Sequence, residues 1–355
     1  MLVVSGSGIK IRQVTGYKIM SIKSPYLLFI GDVPDALAAK TAQGVVDWRP
    51  ERCIGQMRME GCGANLGIQD MSIEEALAAG AKTFVVGAVN AGGVLKDSWI
   101  PIVVDAIESG MDIASGLHVR LQEVSEIAEA AERKGVQLHN LRHSDRVYPT
   151  GKGTPRKGKR LLAVGTDCSV GKKYSALCIE RDMKAAGYSA EFCATGQTGL
   201  LIAERGVALD AVIADFISGA AEYITPETDE NNWQIVEGQG SLFHPSFSGV
   251  TLGLLHGSQP DAFVVCHEPT RTTMRGVSTP LPSIQQVIDA TTMMGKLTNP
   301  DVRCVGICVN TLALEEDEAK VYLAKTGEKH GLPCVDPLRF GAEAIVAEVE
   351  SQFGK

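Results

Sequence analysis

Short apolar runs recur along this chain, each closing on Gly, Asp, Glu or Asn, and helically spaced segments separate them. YLLFIGD (26–32) and KTFVVGAV (82–89) are continuous enough to be buried on both faces, as strands of a parallel sheet are. Between them, SIEEALAAG has Ser72 as an N-cap, Glu74 and Glu75 in a first turn, and Gly80 as a stop. DALAAKTAQGVVDW reads as a helix followed by a strand. IPIVVDAIESGMDIASGLHV and EVSEIAEAAERKGVQLHNLR each read as helix then strand. Strands buried on both faces and alternating with helices are satisfied by an α/β fold with a doubly wound, Rossmann-like parallel sheet.

The pattern resumes after PTGKGTPRKGKR (149–160), whose Pro, Gly and basic residues have the composition of a linker. RLLAVG, AEFCATGQTGLL, LDAVIADFISGAAE, WQIVEGQGSLF, DAFVVCHEPTR and VRCVGICVNT follow as further apolar runs. A chain of 355 residues accommodates two domains. We therefore expect a Rossmann-like domain over 20–150 and a second α/β domain over 151–355, with 1–19 as an N-terminal tail outside the fold. The first half lacks G-x-G-x-x-G after its opening strand, so a ligand there would use a strand end such as Asn90–Gly93.

Composition narrows the partners. The formal charge of −8 argues against nucleic acid, and no run of 18 apolar residues is present to span a membrane. Nine cysteines, scattered in apolar runs and never spaced C-x-x-C, fit free thiols in a reducing compartment, so a cytoplasmic protein is expected. Small-molecule substrates are the expected partners, and an α/β enzyme of this size is expected to form a dimer or larger homo-oligomer.

The segment GTDCSVGKKY follows the apolar run ending at Val164. Its residues Gly165, Thr166, Asp167, Cys168, Ser169, Val170, Gly171, Lys172, Lys173 and Tyr174 have the order of a phosphate loop. Backbone N–H groups curl around an anion at a helix N-terminus, and Lys172 adds a point charge. Two features depart from G-x-x-x-x-G-K-[ST]. Five residues separate Gly165 from Gly171, and Lys173 stands where a magnesium-binding hydroxyl belongs.

GTDCSVGKK, VEGQGS (236–241) and GICVNT (306–311) resemble, in this order, the phosphate loop and two strand ends of dethiobiotin synthetase and its P-loop relatives. A closer resemblance joins GTDCSVGKKYSAL, ATGQTGL, EGQGSL and CHEPTR to a two-domain bacterial family with a Rossmann-like first half and a P-loop second half. That family includes the D-glutamate N-acetyltransferases of D-amino-acid catabolism. The resemblance covers nearly the whole chain from about Met20. It implies a P-loop second domain and transfer of acetyl from acetyl-CoA to the amino group of D-glutamate.

The residues can be weighed against that chemistry. ATP-driven phosphoryl transfer needs Mg²⁺ bridging the phosphates. Lys173 cannot hold the ion, although Thr166, Ser169, Asp215 or Glu237 offers another geometry. A second cation suits a diphosphate that is bound and not cleaved, such as that of coenzyme A. An amine acceptor needs a general base. Glu237 is the first candidate, Asp215 the second and His267 a third. Backbone N–H groups from Gly238 onward could meet a thioester oxyanion. Thr195, Gly196, Gln197, Thr198, Gly238, Gln239 and Gly240 are candidate substrate contacts, and Arg271 and Arg275 are candidate forks for a dicarboxylate. No metal site is expected. The alternative is an ATP- and magnesium-dependent ligase or kinase of the dethiobiotin-synthetase type. RMEGCG (58–63) matches an acyl-CoA string of a different acetyltransferase fold, and carries no weight in a Gly-rich chain of this architecture.

Overall fold

The computed structural model of the chain describes residues 22–89, 91–144 and 146–355. The proposed tail 1–19 and Asn90 lie outside the described residues. Both sheets are parallel. The first contains β1 (Tyr26–Gly31), β2 (Cys53–Arg58), β3 (Thr83–Val86), β4 (Asp112–Ser115) and β5 (Leu138–Asn140), in the order β2-β1-β3-β4-β5. The second contains β6 (Lys159–Gly165), β7 (Ser189–Cys193), β8 (Asn232–Val236), β9 (Ala262–His267), β10 (Arg303–Val309) and β11 (Cys334–Val335), in the order β11-β10-β9-β6-β8-β7. In each sheet the strand order reverses beside the first strand of the sheet, β1 or β6. A crevice opens at the carboxyl ends at such a point.

Helices cover both sheets: α1 (Lys40–Trp48), α2 (Ile73–Ala78), α3 (Ile100–Glu108) and α4 (Ser125–Lys134) on the first, and α5 (Lys172–Ala185), α6 (Gln197–Ala203), α7 (Ile217–Ile224), α8 (Ser248–Ser258), α9 (Ile284–Gly295), α10 (Glu316–His330) and α11 (Glu343–Phe353) on the second. Strand β6 shows why the apolar runs are continuous. Leu161 and Ala163 enter one hydrophobic cluster, Leu162 and Val164 the other, so successive side chains bury on opposite faces. The cluster that takes Leu161 also contains the core of the first sheet, from Tyr26 to Ile127. The two α/β layers therefore share one apolar body. The cap read at Ser72 is present: Ser72 accepts from Glu75 N at 3.1 Å and Glu75 returns the bond to Ser72 N at 2.8 Å.

Three assignments change. GVVDW is the end of α1, not a strand. Thr41, Ala42, Gly44 and Val45 are buried along one helix face, and Pro50 opens the short turn that follows. LDAVIADFISGAAE contains no strand. It forms two short 3₁₀ turns and the start of α7, whose buried Ile217, Ala220, Ala221 and Ile224 keep the i, i+3, i+4, i+7 spacing. The strand that pairs with the outer side of β1 is CIGQMR, an edge strand whose inner positions are Gly55 and Gln56 and which has no β-branched run to announce it. All nine cysteines are free.

Candidate active site

The site grows from the turn after β6. Gly171 adopts φ 102°, a left-handed conformation that suits glycine, and Ser169 at the loop crest adopts φ 54°. These two residues fold the chain back so that α5 begins at Lys172. Lys172 is buried, and its Nζ donates to Asp167 O at 2.7 Å across the loop. Burial holds its ammonium below the usual lysine range.

Asp167 is fully buried and braces the loop from below. Its Oδ2 accepts from Arg271 Nη1 at 2.7 Å and from Arg275 N at 2.8 Å. Arg271 also donates to Cys168 O at 2.7 Å and Ser169 O at 3.3 Å. Its fork is thus committed to loop carbonyls and a carboxylate. Arg275 reaches Ser169 Oγ through Nη1 at 2.7 Å and lines the pocket. Thr166 Oγ1 lies 3.1 Å from His267 Nδ1, and burial pulls the His267 imidazole down to about 4. That histidine supports the back of the loop and is not in the pocket wall.

Asp167, Cys168 and His244 cluster closely enough to suggest a metal site. Their hydrogen bonds argue otherwise. Ser246 N donates to His244 Nδ1 at 3.1 Å, so Nε2 carries the proton and donates to Arg275 O at 3.0 Å. No imidazole lone pair remains for an ion.

Glu237 follows β8. Its Oε2 accepts from Thr195 N at 2.9 Å and Gly196 N at 3.1 Å. Thr195 Oγ1 donates to Glu237 O at 2.7 Å, and Gln239 Nε2 donates to Thr195 Oγ1 at 3.0 Å. The turns after β7 and β8 are thereby tied together around one carboxylate. Burial pushes Glu237 up to about 7, against the opposing pull of those amides and of Lys173, while Asp210 adds to the rise. Lys173 is held down to about 8 by burial, with the Glu237 charge opposing the fall. Lys173 Nζ lies over the Tyr174 ring at 4.5 Å from its centroid. It turns toward α1, where a Cβ on Gly44 would overlap it and would approach Thr198 Cγ2 to 2.6 Å. Tyr174 OH donates to Asp47 Oδ2 at 2.5 Å, a further bond from the loop's helix to α1.

These groups face one cavity of about 520 Å³. Cys168, Ser169, Gly171, Lys172, Lys173 and Tyr174 line it from the loop. Gly196, Gln197, Thr198, Glu237, Gly238, Gln239 and Gly240 line it from β7 and β8. Of the other sequence candidates, Asp215 is exposed in a 3₁₀ turn away from the cavity, because the segment expected to end a strand there is not a strand. Gly165, Thr166, Asp167, Val170 and Thr195 stand behind the wall, as does Arg271.

Three charged lining residues escaped the sequence reading. Lys40 opens α1 just beyond β1, Arg142 follows β5, and Asp210 follows α6. Arg142 and Asp210 form an ion pair, and Arg142 Nε donates to Gly116 O at 2.6 Å. Turned so that its oxygen faces Arg142 Nη2 at 3.2 Å, the Gln197 amide bonds the same cluster and also donates to Gly116 O. Lys40 and Arg142 lie beyond carboxyl ends in the first sheet. In the first half the strand-end rule singled out 90–93 after β3, and not the segments after β1 and β5 that carry Lys40 and Arg142.

A phosphate loop beside the strand-order reversal of one parallel sheet, closed over by a second Rossmann-like sheet, defines a two-domain α/β enzyme with a P-loop half. Residues 149–346 match the family model described as "Domain of unknown function (DUF1611_C) P-loop domain", and residues 52–144 the one described as "Domain of unknown function (DUF1611_N) Rossmann-like domain". The chain belongs to this DUF1611 family. The D-glutamate N-acetyltransferase of Tritonibacter scottomollicae is 52% identical to it over 326 residues, covering 92% of this chain and 98% of the relative. The D-glutamate N-acetyltransferase of a Pseudoalteromonas species is 52% identical over 331 residues, covering 93% and 100%. The crystal structure of a DUF1611 family protein from Anabaena variabilis has the same fold, with a TM-score of 0.84 at 30% identity over 93% of this chain and 99% of that one. Among the described residues, no helix is long and apolar enough to cross a membrane.

Proposed function

We propose that this protein transfers the acetyl group of acetyl-CoA to the amino group of D-glutamate, in the cytoplasm, as a step of D-amino-acid catabolism. The observation that carries the reading is the pairing of Glu237 with a phosphate loop in one pocket. A carboxylate held at about 7 is matched to taking a proton at neutral pH. The relatives' names supply the acceptor and the reaction class.

Bound acetyl-CoA would bring a thioester for attack and a diphosphate for the loop. The chain's own residues do the rest. The Gly171–Lys172 turn and Lys172 fit an anion at the start of α5. Glu237 Oε1, the oxygen not bonded to Thr195 N and Gly196 N, is the one available to accept a proton from the acceptor ammonium. Gly238, Gln239 and Gly240 line the same wall, and their backbone N–H groups are the donors proposed for an oxyanion. Lys173 and the Arg142–Asp210 pair set the polarity around a charged acceptor. The chemistry needs no magnesium, and the position that holds it in ATP-cleaving loops is a lysine. We further propose that the active form is a homo-oligomer.

The test is direct. Purified protein should release free CoA from acetyl-CoA with D-glutamate as acceptor, and keep its rate in EDTA. Loss of turnover in EDTA with recovery in Mg²⁺, or hydrolysis of ATP coupled to D-glutamate, would favour the ligase reading instead.

A further inference from the structure

Lys40 belongs to the Rossmann-like domain, yet its Nζ lies 3.4 Å from Ser169 Oγ at the crest of the phosphate loop. Arg275 Nη1 reaches the same hydroxyl at 2.7 Å from the other side. The loop crest is thus bracketed by one cation from each domain. Among the described residues no carboxylate comes within ion-pair reach of Lys40. Burial first, and then the charges of Arg275, Arg142 and Lys172, pull its ammonium down to about 8, with Cys168 opposing the fall. A half-buried lysine surrounded by cations is costly unless an anion joins them. The residue that sequence order nominates for a second loop cation, Lys173, has its Nζ over Tyr174 and against α1 instead.

We infer that Lys40 is the second cation of the phosphate site, delivered across the domain boundary, and that it closes with Lys172 and Arg275 on a diphosphate held by the loop. The inference rests on the loop being a phosphate cradle, and not on which acceptor is acetylated. A diphosphate is favoured over a single carboxylate by charge count. Three cations converge on the loop, and one carboxylate would leave two of them uncompensated. Helix α1 begins at Lys40 after the turns that follow β1. The carboxyl edge of the first sheet faces the loop and projects its first helical side chain onto it.

The experiment compares wild type, Lys40→Met and Lys40→Arg by calorimetric titration with inorganic pyrophosphate and with CoA, alongside steady-state KM for D-glutamate. Removing one charge-assisted contact should weaken pyrophosphate and CoA by about 10- to 100-fold in Lys40→Met. Lys40→Arg should recover most of that loss, and the D-glutamate KM should move by less than about threefold. Unchanged pyrophosphate affinity in Lys40→Met, or a rise confined to the D-glutamate KM, would overturn the inference; the second result would make Lys40 an acceptor contact. Failure of wild type to bind pyrophosphate at all would overturn it too. Lys40-dependent pyrophosphate binding in a protein that does not acetylate D-glutamate would uphold it while refuting the acetyltransferase reading.

Discussion

Replacing Glu237 with Gln should make the protein more stable and nearly inactive at once. In the fold this carboxyl, ordinarily at 4.5, is held at about 7 by burial. Ionising it therefore costs the folded state about 3 kcal/mol relative to the unfolded chain, roughly 1.4 kcal/mol for each pH unit between the two values. The sign follows from the raised value: the stabilising contribution is complete below about 4.5 and lost as pH climbs through about 7. Glutamine remains uncharged throughout and its carbonyl can still accept from Thr195 N and Gly196 N. One loss offsets part of the gain, since Lys173 is deprived of the charge that helps hold its proton. A net gain of about 1–3 kcal/mol at pH 8.5 is expected, seen as a Tm about 1–4 °C above wild type and shrinking toward zero at pH 5. Over the same change kcat should fall by about 10²- to 10⁴-fold, the usual worth of a positioned base. Wild-type kcat/KM should rise with pH through about 7, as the carboxyl becomes the base. Calorimetry at the two pH values and thiol release from acetyl-CoA measure both sides. A lower Tm at pH 8.5, or a kcat within tenfold of wild type, would refute the argument.

Two further substitutions probe the lysines of the loop. Lys172→Ala should weaken CoA by about 1–3 kcal/mol, the worth of a hydrogen bond to a charged group, with the far-ultraviolet spectrum unchanged; equal CoA affinity would remove Lys172 from the anion site. Lys173→Met should leave CoA affinity within about threefold, because its Nζ faces Gly44 and Tyr174, and should move the acid limb of the pH–rate profile to higher pH by withdrawing a positive charge from Glu237. A tenfold loss of CoA binding with an unmoved profile would return Lys173 to the phosphates.

Much of the fold was legible because a strand buried on both faces must be apolar at every position. Leu161 to Val164 had no alternative once successive side chains were to enter different cores. Where burial is one-sided the signal fades. Strand β2 places Gln56 inside, bonded through Nε2 to Asn65 Oδ1 at 2.9 Å, and nothing local distinguishes that amide from a loop residue. The reverse error, at Val45 and Val46 of α1, came from reading β-branched residues by propensity. Their partners at Ala42 and Thr41 bury on a helical face. The phosphate loop and Glu237 were legible because each follows its own strand within a few residues. Lys40 and Arg142 were not, since their nearness to the loop is produced by the docking of one sheet's edge against the other, and Asp210 was not, since it sits in a 3₁₀ turn and not at a strand end.

Lys173 shows how the two levels combine. Sequence order places it one residue past the loop lysine, which makes it look like a neighbour of whatever the loop binds. On a helix, however, consecutive side chains point about 100° apart. With Lys172 Nζ folded back on Asp167 O, the side chain of Lys173 must leave the cradle, and the surface awaiting it is α1 of the other domain, bare at Gly44. In an ATP-cleaving loop that position carries a short hydroxyl that stays beside the phosphates. Here a long cation is carried instead to the side where Glu237 changes protonation. In the proposed function this cation therefore serves Glu237, and a second cation for a bound diphosphate comes from elsewhere. Lys40, across the domain boundary, is the residue positioned to supply it.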